Sequence, residues 1–285
     1  MDSLVLNLLN AIAFSLILFV MASGLSLVFG TMGVLNLAHG AIYMVGAYCG
    51  FTMASMFGDF YMGLAGAALG AGVLGLVLER AFLRQLYKRQ NDQVLLTLGF
   101  VYMAGNLVEW IWGPLAKMGT IPSQLSGFIG VGEATFPAYR IAVIGIGIVI
   151  AVGLWLLLER TPTGSIIRAG MENKEIVASL GINYELTCTG LFVAGAALAG
   201  FGGFVGMPIV GVNPNTSLDI LLYGLIVVVV GGVGSVEGTL VGSLIIGFID
   251  TFGKAYLPDF SMFFMYLALL VILVVKPSGL LARRV

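Results

Sequence analysis

The stretch LVLNLLNAIAFSLILFVMASGLSLVFGTMGVLNLAHGAIYMVGAYCGFTMASMF, from Leu4 to Phe57, decides the fold class. It contains no Asp, Glu, Lys or Arg, and His39 is its single histidine. As one continuous helix it would be about 80 Å long, at roughly 1.5 Å per residue. Two crossings of a lipid core of about 30 Å need about 40 residues. The surplus of about 14 residues has few polar side chains with which to build a loop in water. The stretch therefore predicts two spans joined by a broken or re-entrant segment around Gly30–Gly40. Such backbone is tolerated at membrane depth only where protein buries it or where it lines a cavity. Asn36 and His39 are the most polar residues of that segment, and on a helix they share a face. One reading makes them a polar element of a path through the membrane, because intramembrane polar groups are expensive. The other makes them a satisfied buried pair that caps a helix break.

Outward from this stretch, the whole chain has the same character. Its 285 residues are 59% hydrophobic and 9% charged, with a mean hydropathy of +1.06. A soluble domain carries about 25% charged residues, so this chain cannot cover a globular surface with charge. Disorder is excluded, because it requires low hydrophobicity and high net charge. The class left is an all-α, polytopic transmembrane helix bundle. A net charge of −1 gives no basic surface for nucleic acid. Cys49 and Cys188 are far apart in apolar sequence and read as free buried thiols. Met1-Asp2-Ser3 lacks a basic leader, so the first apolar run is expected to stay as a span. One His and no cysteine cluster offer no metal site. The P-loop lookalike Gly247…Gly253-Lys254 has five intervening residues where the motif needs four, and Ala255 where it needs Ser or Thr. The chain is thus expected to hold no cofactor and no catalytic residues.

Apolar runs fall at about 4–29, 40–57, 61–82, 94–113, 139–158, 187–206, 218–234, 238–253 and 262–276. The runs 218–234 and 238–253 are short, so about eight to ten spans are expected. Arg80, Arg84, Lys88 and Arg89 follow the third run. Arg160, Arg168 and Lys174 follow the fifth, and Lys276, Arg283 and Arg284 the last. The other connections carry only Lys117, Arg140 and Lys254. Basic residues favour the cytoplasmic side, which predicts an outside N-terminus, a cytoplasmic C-terminus and an odd number of crossings.

Glycines at a spacing of four let helix backbones approach in lipid. Gly66 and Gly70, Gly202 and Gly206, and the run Gly234, Gly238 and Gly242 have this spacing and are expected to pack helices. The longest internal hydrophilic segment, about 159–186, ends in a different pattern. Asn173 is a candidate N-cap, Lys174 to Leu180 a short helix, and Gly181 its stop. Ile176, Val177 and Leu180 make an apolar stripe on it. With one lysine the helix suits a protein groove better than anionic lipid.

These residues carry a family resemblance over essentially the whole chain. Gly24-Leu-Ser-Leu-Val-Phe-Gly30 through His39-Gly40 and Tyr48 is similar to the N-terminal signature of branched-chain amino acid ABC transporter permeases. Arg160-Thr-Pro-Thr-Gly164, Asn173 to Asn183, Gly231-Gly-Val-Gly-Ser-Val-Glu-Gly238 and Lys276-Pro-Ser-Gly-Leu280 continue the match. Ala41 departs from it, since many relatives carry an acid after the His-Gly pair. The resemblance implies a type II ABC importer permease forming a single transmembrane domain over 1–285. Its implied partners are a related second permease subunit, two cytoplasmic ATPases that hydrolyse the ATP, and an extracytoplasmic substrate-binding protein. It implies a bacterial inner membrane location, with Asn173 to Gly181 as the coupling helix. Lys174 and Glu175 would supply its polar contacts, and Ile176 and Leu180 its apolar ones. The implied solutes are branched-chain or other neutral amino acids, with urea or short amides as the alternative. A stand-alone carrier or channel is the reading from another class.

Overall fold

The computed structural model describes residues 2–33, 36–87, 89–131 and 134–281. Lys88, Arg283 and Arg284 of the charge pattern, and Val34 and Leu35 of the break, lie outside the described residues. Among the described residues nine apolar helices make the bundle: α1 (Asp2–Met32), α2 (His39–Phe57), α3 (Phe60–Ala81), α4 (Gln90–Trp112), α5 (Ala138–Arg160), α8 (Tyr184–Val210), α9 (Thr216–Gly231), α10 (Val236–Tyr256) and α11 (Ser261–Val275). Two shorter helices, α6 (Pro162–Glu172) and α7 (Lys174–Ser179), lie between α5 and α8. Among the described residues eight helices are long and apolar enough to cross a bilayer, while α9 has 16 residues. At about 24 Å, α9 falls short of the lipid core.

The bundle has two ends, here called upper, where α1 starts, and lower, where α1 stops. Ser15 of α1 meets Gly247 of α10, and Gly30 meets Gly234, so α10 runs against α1. Gly24 meets Gly195 and Ile17 meets Gly206, so α8 also runs upward. Gly63 lies against Phe204 and Gly75 against Ala196, which sends α3 downward. Arg140 donates to Asn10 at the upper end of α5, and Leu16 touches Gly147 lower down. The nine helices therefore alternate in direction. Arg84, Arg160 and Arg168 gather at the lower end, and Lys117, Arg140 and Lys254 at the upper.

Helices that are apolar all round must be buried or face lipid. Both cases occur. The middle of α1 is sealed, with Leu18, Phe19, Met21 and Ala22 fully buried. Helices α4, α5 and α11 instead show large apolar side chains outward, among them Trp110, Val149 and Val274. This outward apolar belt and the eight long helices make the chain a multi-pass membrane protein.

Three features depart from the sequence expectations. A two-stranded hairpin, β1 (Phe128–Val131) and β2 (Ala134–Pro137), stands at the upper end. The segment before α7 is not a loop but α6, started by Thr161, whose hydroxyl accepts from the Gly164 N–H at 3.1 Å, with Pro162 at the first turn. Gly234 is not part of a helical glycine run. It sits in the break between α9 and α10 with φ +76°, and only Gly238 and Gly242 lie on α10. A helix needs negative φ throughout, so Gly234 ends the turn instead of extending the seam.

Candidate functional site

The break after α1 is built by Gly33, which takes φ +65° while its N–H donates to the Phe29 carbonyl at 2.9 Å. Asn36 then turns the chain: its Oδ1 accepts from the Ala38 N–H at 3.1 Å, and its carbonyl accepts from the His39 N–H at 3.2 Å. Asn36 therefore precedes α2, and the two polar residues do not share a helical face. His39 Nε2 lies 3.0 Å from the Met21 carbonyl. A carbonyl only accepts, so this bond selects the Nε2–H tautomer. Met21 is eleven residues before the end of α1, or roughly 16 Å along its axis. By His39 the chain is therefore back inside the bundle, and α2 begins there. A Cβ on Gly40 would collide with the Ser217 carbonyl of α9, so only glycine lets α2 start there. Asn36 and His39 are each 1% exposed, and Asn36 Nδ2 has no partner among the described residues. Neither residue lines the upper cavity described below.

At the lower end α7 follows α6 directly. Asn173 Oδ1 accepts from the Glu175 and Ile176 N–H groups at 2.9 and 3.2 Å, satisfying two donors that a helix start leaves open. Gly181 takes φ +78° just past Leu180. Val177 is buried with Tyr184 and Cys188, whereas Ile176 and Leu180 are 59% and 72% exposed. The apolar stripe thus divides: Val177 anchors the helix, and Ile176 and Leu180 point away from the body. The Lys174 side chain lies outside the described residues. Two contacts hold its mounting. A Cβ on Gly170 of α6 would overlap the Tyr184 ring, and the Tyr184 hydroxyl donates to the Thr31 carbonyl at the end of α1 at 3.3 Å. Helix α7 is thus linked through α6 and Tyr184 to the end of α1. Nearby, Arg84 pairs with Glu185, tying the α3–α4 connection to α8. Burial first, and then the Glu79 carboxylate to which it donates at 2.5 Å, push the Tyr87 phenol above its ordinary value.

The glycines expected to pack helices take varied positions. Gly66 faces Met53, and Gly70 faces the Cys49 side chain, across the α2–α3 seam. Gly202 lies on Val20, and Gly206 between Ile17 and the Tyr43 hydroxyl. Close backbone approaches also come from glycines outside the spacing-of-four pattern. A Cβ on Gly24 would lie 2.6 Å from the Gly195 carbonyl oxygen, and one on Gly203 2.5 Å from that of Tyr43. The glycine-rich sequence of α8 was the available signal for these, but it does not say which neighbour each one meets.

At the upper end α1, α2, α9, α10 and α11 enclose a cavity of about 420 Å³, within the range of small-ligand pockets, about 300–1,000 Å³. Asp219, Tyr223 and Lys254 line it together with Phe14, Ile220, Met262 and Met265. Asp250 lies behind them, its side chain 4% exposed. Its Oδ1 accepts from the Tyr223 hydroxyl at 2.6 Å and its Oδ2 from Lys254 Nζ at 2.7 Å. Sequence reasoning did not join Asp219 and Asp250 to Lys254. The i, i+4 spacing of Asp250 and Lys254 was the usable signal.

Comparison with known proteins agrees with this architecture. The family described as the branched-chain amino acid transport system permease component matches residues 7–273. The chain is 28% identical over 279 residues to the high-affinity branched-chain amino acid transport system permease protein BraD of Pseudomonas aeruginosa, covering 92% of this chain and 90% of that one. It is 29% identical to LivH of Escherichia coli over the same shares. It is also 30% identical to a probable LivH of Methanocaldococcus jannaschii, over 87% of this chain and 80% of that protein. No solved structure matches the chain significantly. With nine alternating apolar helices, a re-entrant break after the first, and a family match spanning nearly its whole length, this chain belongs to the branched-chain amino acid transport permease family.

Proposed function

We propose that this chain is the membrane permease subunit of an ATP-driven importer for branched-chain or other neutral amino acids. The carrying observation is α7: a capped two-turn helix, anchored by Val177 and presenting Ile176 and Leu180 away from the body at the basic end. Exposed apolar side chains on an anchored helix suit the groove of a protein partner. Basic residues at that end favour the cytoplasm, so α1 starts outside, in the cytoplasmic membrane, and the upper cavity opens to the exterior. The whole chain acts as one permease domain, with 159–186 as its coupling segment. Two ATPase subunits dock below and hydrolyse ATP, one of them on α7, a related second permease completes the pore, and a binding protein delivers solute above. The chain itself supplies no catalytic group. Nucleotide shifts the permease between states only through a partner that binds those states differently. Asn36 and His39 hold the start of α2 beside α1 and α9, and in this reading they belong to the moving part of the path.

The test replaces Glu175 with Ala and Leu180 with Asp, both exposed, and measures ATPase copurification and leucine uptake with the partners present. Loss of both, with normal membrane insertion, is the expected result. Unchanged copurification and uptake reject the docking role.

A further inference from the structure

The upper cavity combines both signs of charge with an apolar wall. Asp250 is consumed internally, one oxygen by Tyr223 and the other by Lys254. Lys254 is oriented by that bond and by the Phe14 ring beneath it, 5.6 Å from Nζ to the centroid. An ammonium has three donors. Asp250 takes one, and the Tyr223 oxygen lies at 3.5 Å from Nζ, which leaves donor capacity with 55% of the side chain exposed. Asp219 stands one helical turn before Tyr223, lines the same cavity, and makes no hydrogen bond or ion pair among the described residues. Beside these groups lie Ile220, Met262 and Met265.

We propose that this cavity is a transient binding site for a zwitterionic α-amino acid with an apolar side chain. Asp219 receives the ammonium, the free donor of Lys254 receives the carboxylate, and the side chain lies against Ile220, Met262 and Met265. The assignment rests on the import function above and names the site at which the permease meets its solute. Chemistry separates the solute classes. A charge taken from water without a partner is costly. A lone carboxylate meets Asp219 with like charge, a lone amine leaves Lys254 unanswered, and urea answers neither charge. A zwitterion answers both. The partial exposure of both groups keeps the affinity low, as a path requires: solute must enter readily and also leave.

The experiment uses the assembled transporter in proteoliposomes, with two readouts. Asp219→Asn removes the ammonium partner from an exposed position. Leucine uptake is expected to fall about tenfold, with Asp219→Glu recovering most of it and both variants copurifying with their partners. Separately, Met262→Cys is labelled from the exterior by an impermeant thiol reagent and read by mass spectrometry. L-leucine is expected to slow this labelling, while isovalerate, isobutylamine and urea do not. Wild-type uptake by Asp219→Asn, equal protection by urea, or a thiol closed to the reagent without solute would each overturn the proposal. Wild-type protein that imports no leucine defeats the proposed function instead, and the labelling result then decides the site by itself.

Discussion

The α9–α10 pair is closed at one end and open at the other. At the lower end the two helices meet backbone to backbone. A Cβ on Gly231 would strike the Gly238 carbonyl, and a Cβ on Gly238 would strike that of Gly231. One turn along, a Cβ on Gly242 would lie 2.5 Å from the Val227 carbonyl oxygen. Gly30 of α1 closes on Gly234 from the side, and Ser26 Oγ accepts from the Gly234 N–H at 3.2 Å. The C-terminal segment then returns: the Leu280 and Leu281 N–H groups donate to the Val230 and Gly231 carbonyls, both at 2.9 Å. That satisfies carbonyls that a helix end leaves open. At the upper end Tyr223 of α9 reaches α10 through a large side chain, bonded to Asp250, which also holds Lys254, and the cavity lies beside them. Small residues make a seal, and a bonded trio of large polar side chains makes a spacer.

Breaking the seal should have the largest effect. Gly238→Val puts a branched side chain onto the Gly231 backbone, which has no rotamer with which to yield. The expected loss is about 3 kcal/mol or more, seen as failure to recover monodisperse protein in detergent. A stable Gly238→Val protein would show that the two backbones are not in contact. At the open end, Asp250→Ala removes the acceptor of the half-buried Tyr223 hydroxyl and of the lysine. A cost of about 1–2 kcal/mol is expected, read as a lower thermal midpoint, with Asp250→Asn losing less because an amide oxygen can still accept. If Asp250→Ala costs as much as the glycine change, the spacer is part of the core and the contrast between the ends fails. The smallest effect sharpens the point that contact, not glycine as such, matters. Gly145 on α5 has open space where a Cβ would go, so Gly145→Ala should be neutral or stabilising by up to about 1 kcal/mol.

Much of the fold was legible in the chain because lipid imposes a length rule. Apolar runs near the required length marked all nine helices, and the 54 residues around His39 demanded a re-entrant break, which is where α1 stops and α2 restarts inside the bundle. The cap of α7 was legible because Asn173 acts on N–H groups two and three residues away. Helix α6 went unread although Thr161-Pro162 is a start signal, because its sequence is polar enough to pass for a loop. The cavity charges went unread for a different reason. Asp219 and Lys254 are 35 residues apart, and nothing local states that they line one cavity.

By itself the sequence determined the solvent this protein folds in, where its apolar helices fall, and the short capped helix at its basic end. Each of these follows from local rules of length, charge side and hydrogen-bond reach. The tertiary structure alone decided which glycine faces which backbone and which charges share a cavity. A helix that is apolar all round carries no marked face, so its rotation about its own axis is set only by the close packing of its neighbours.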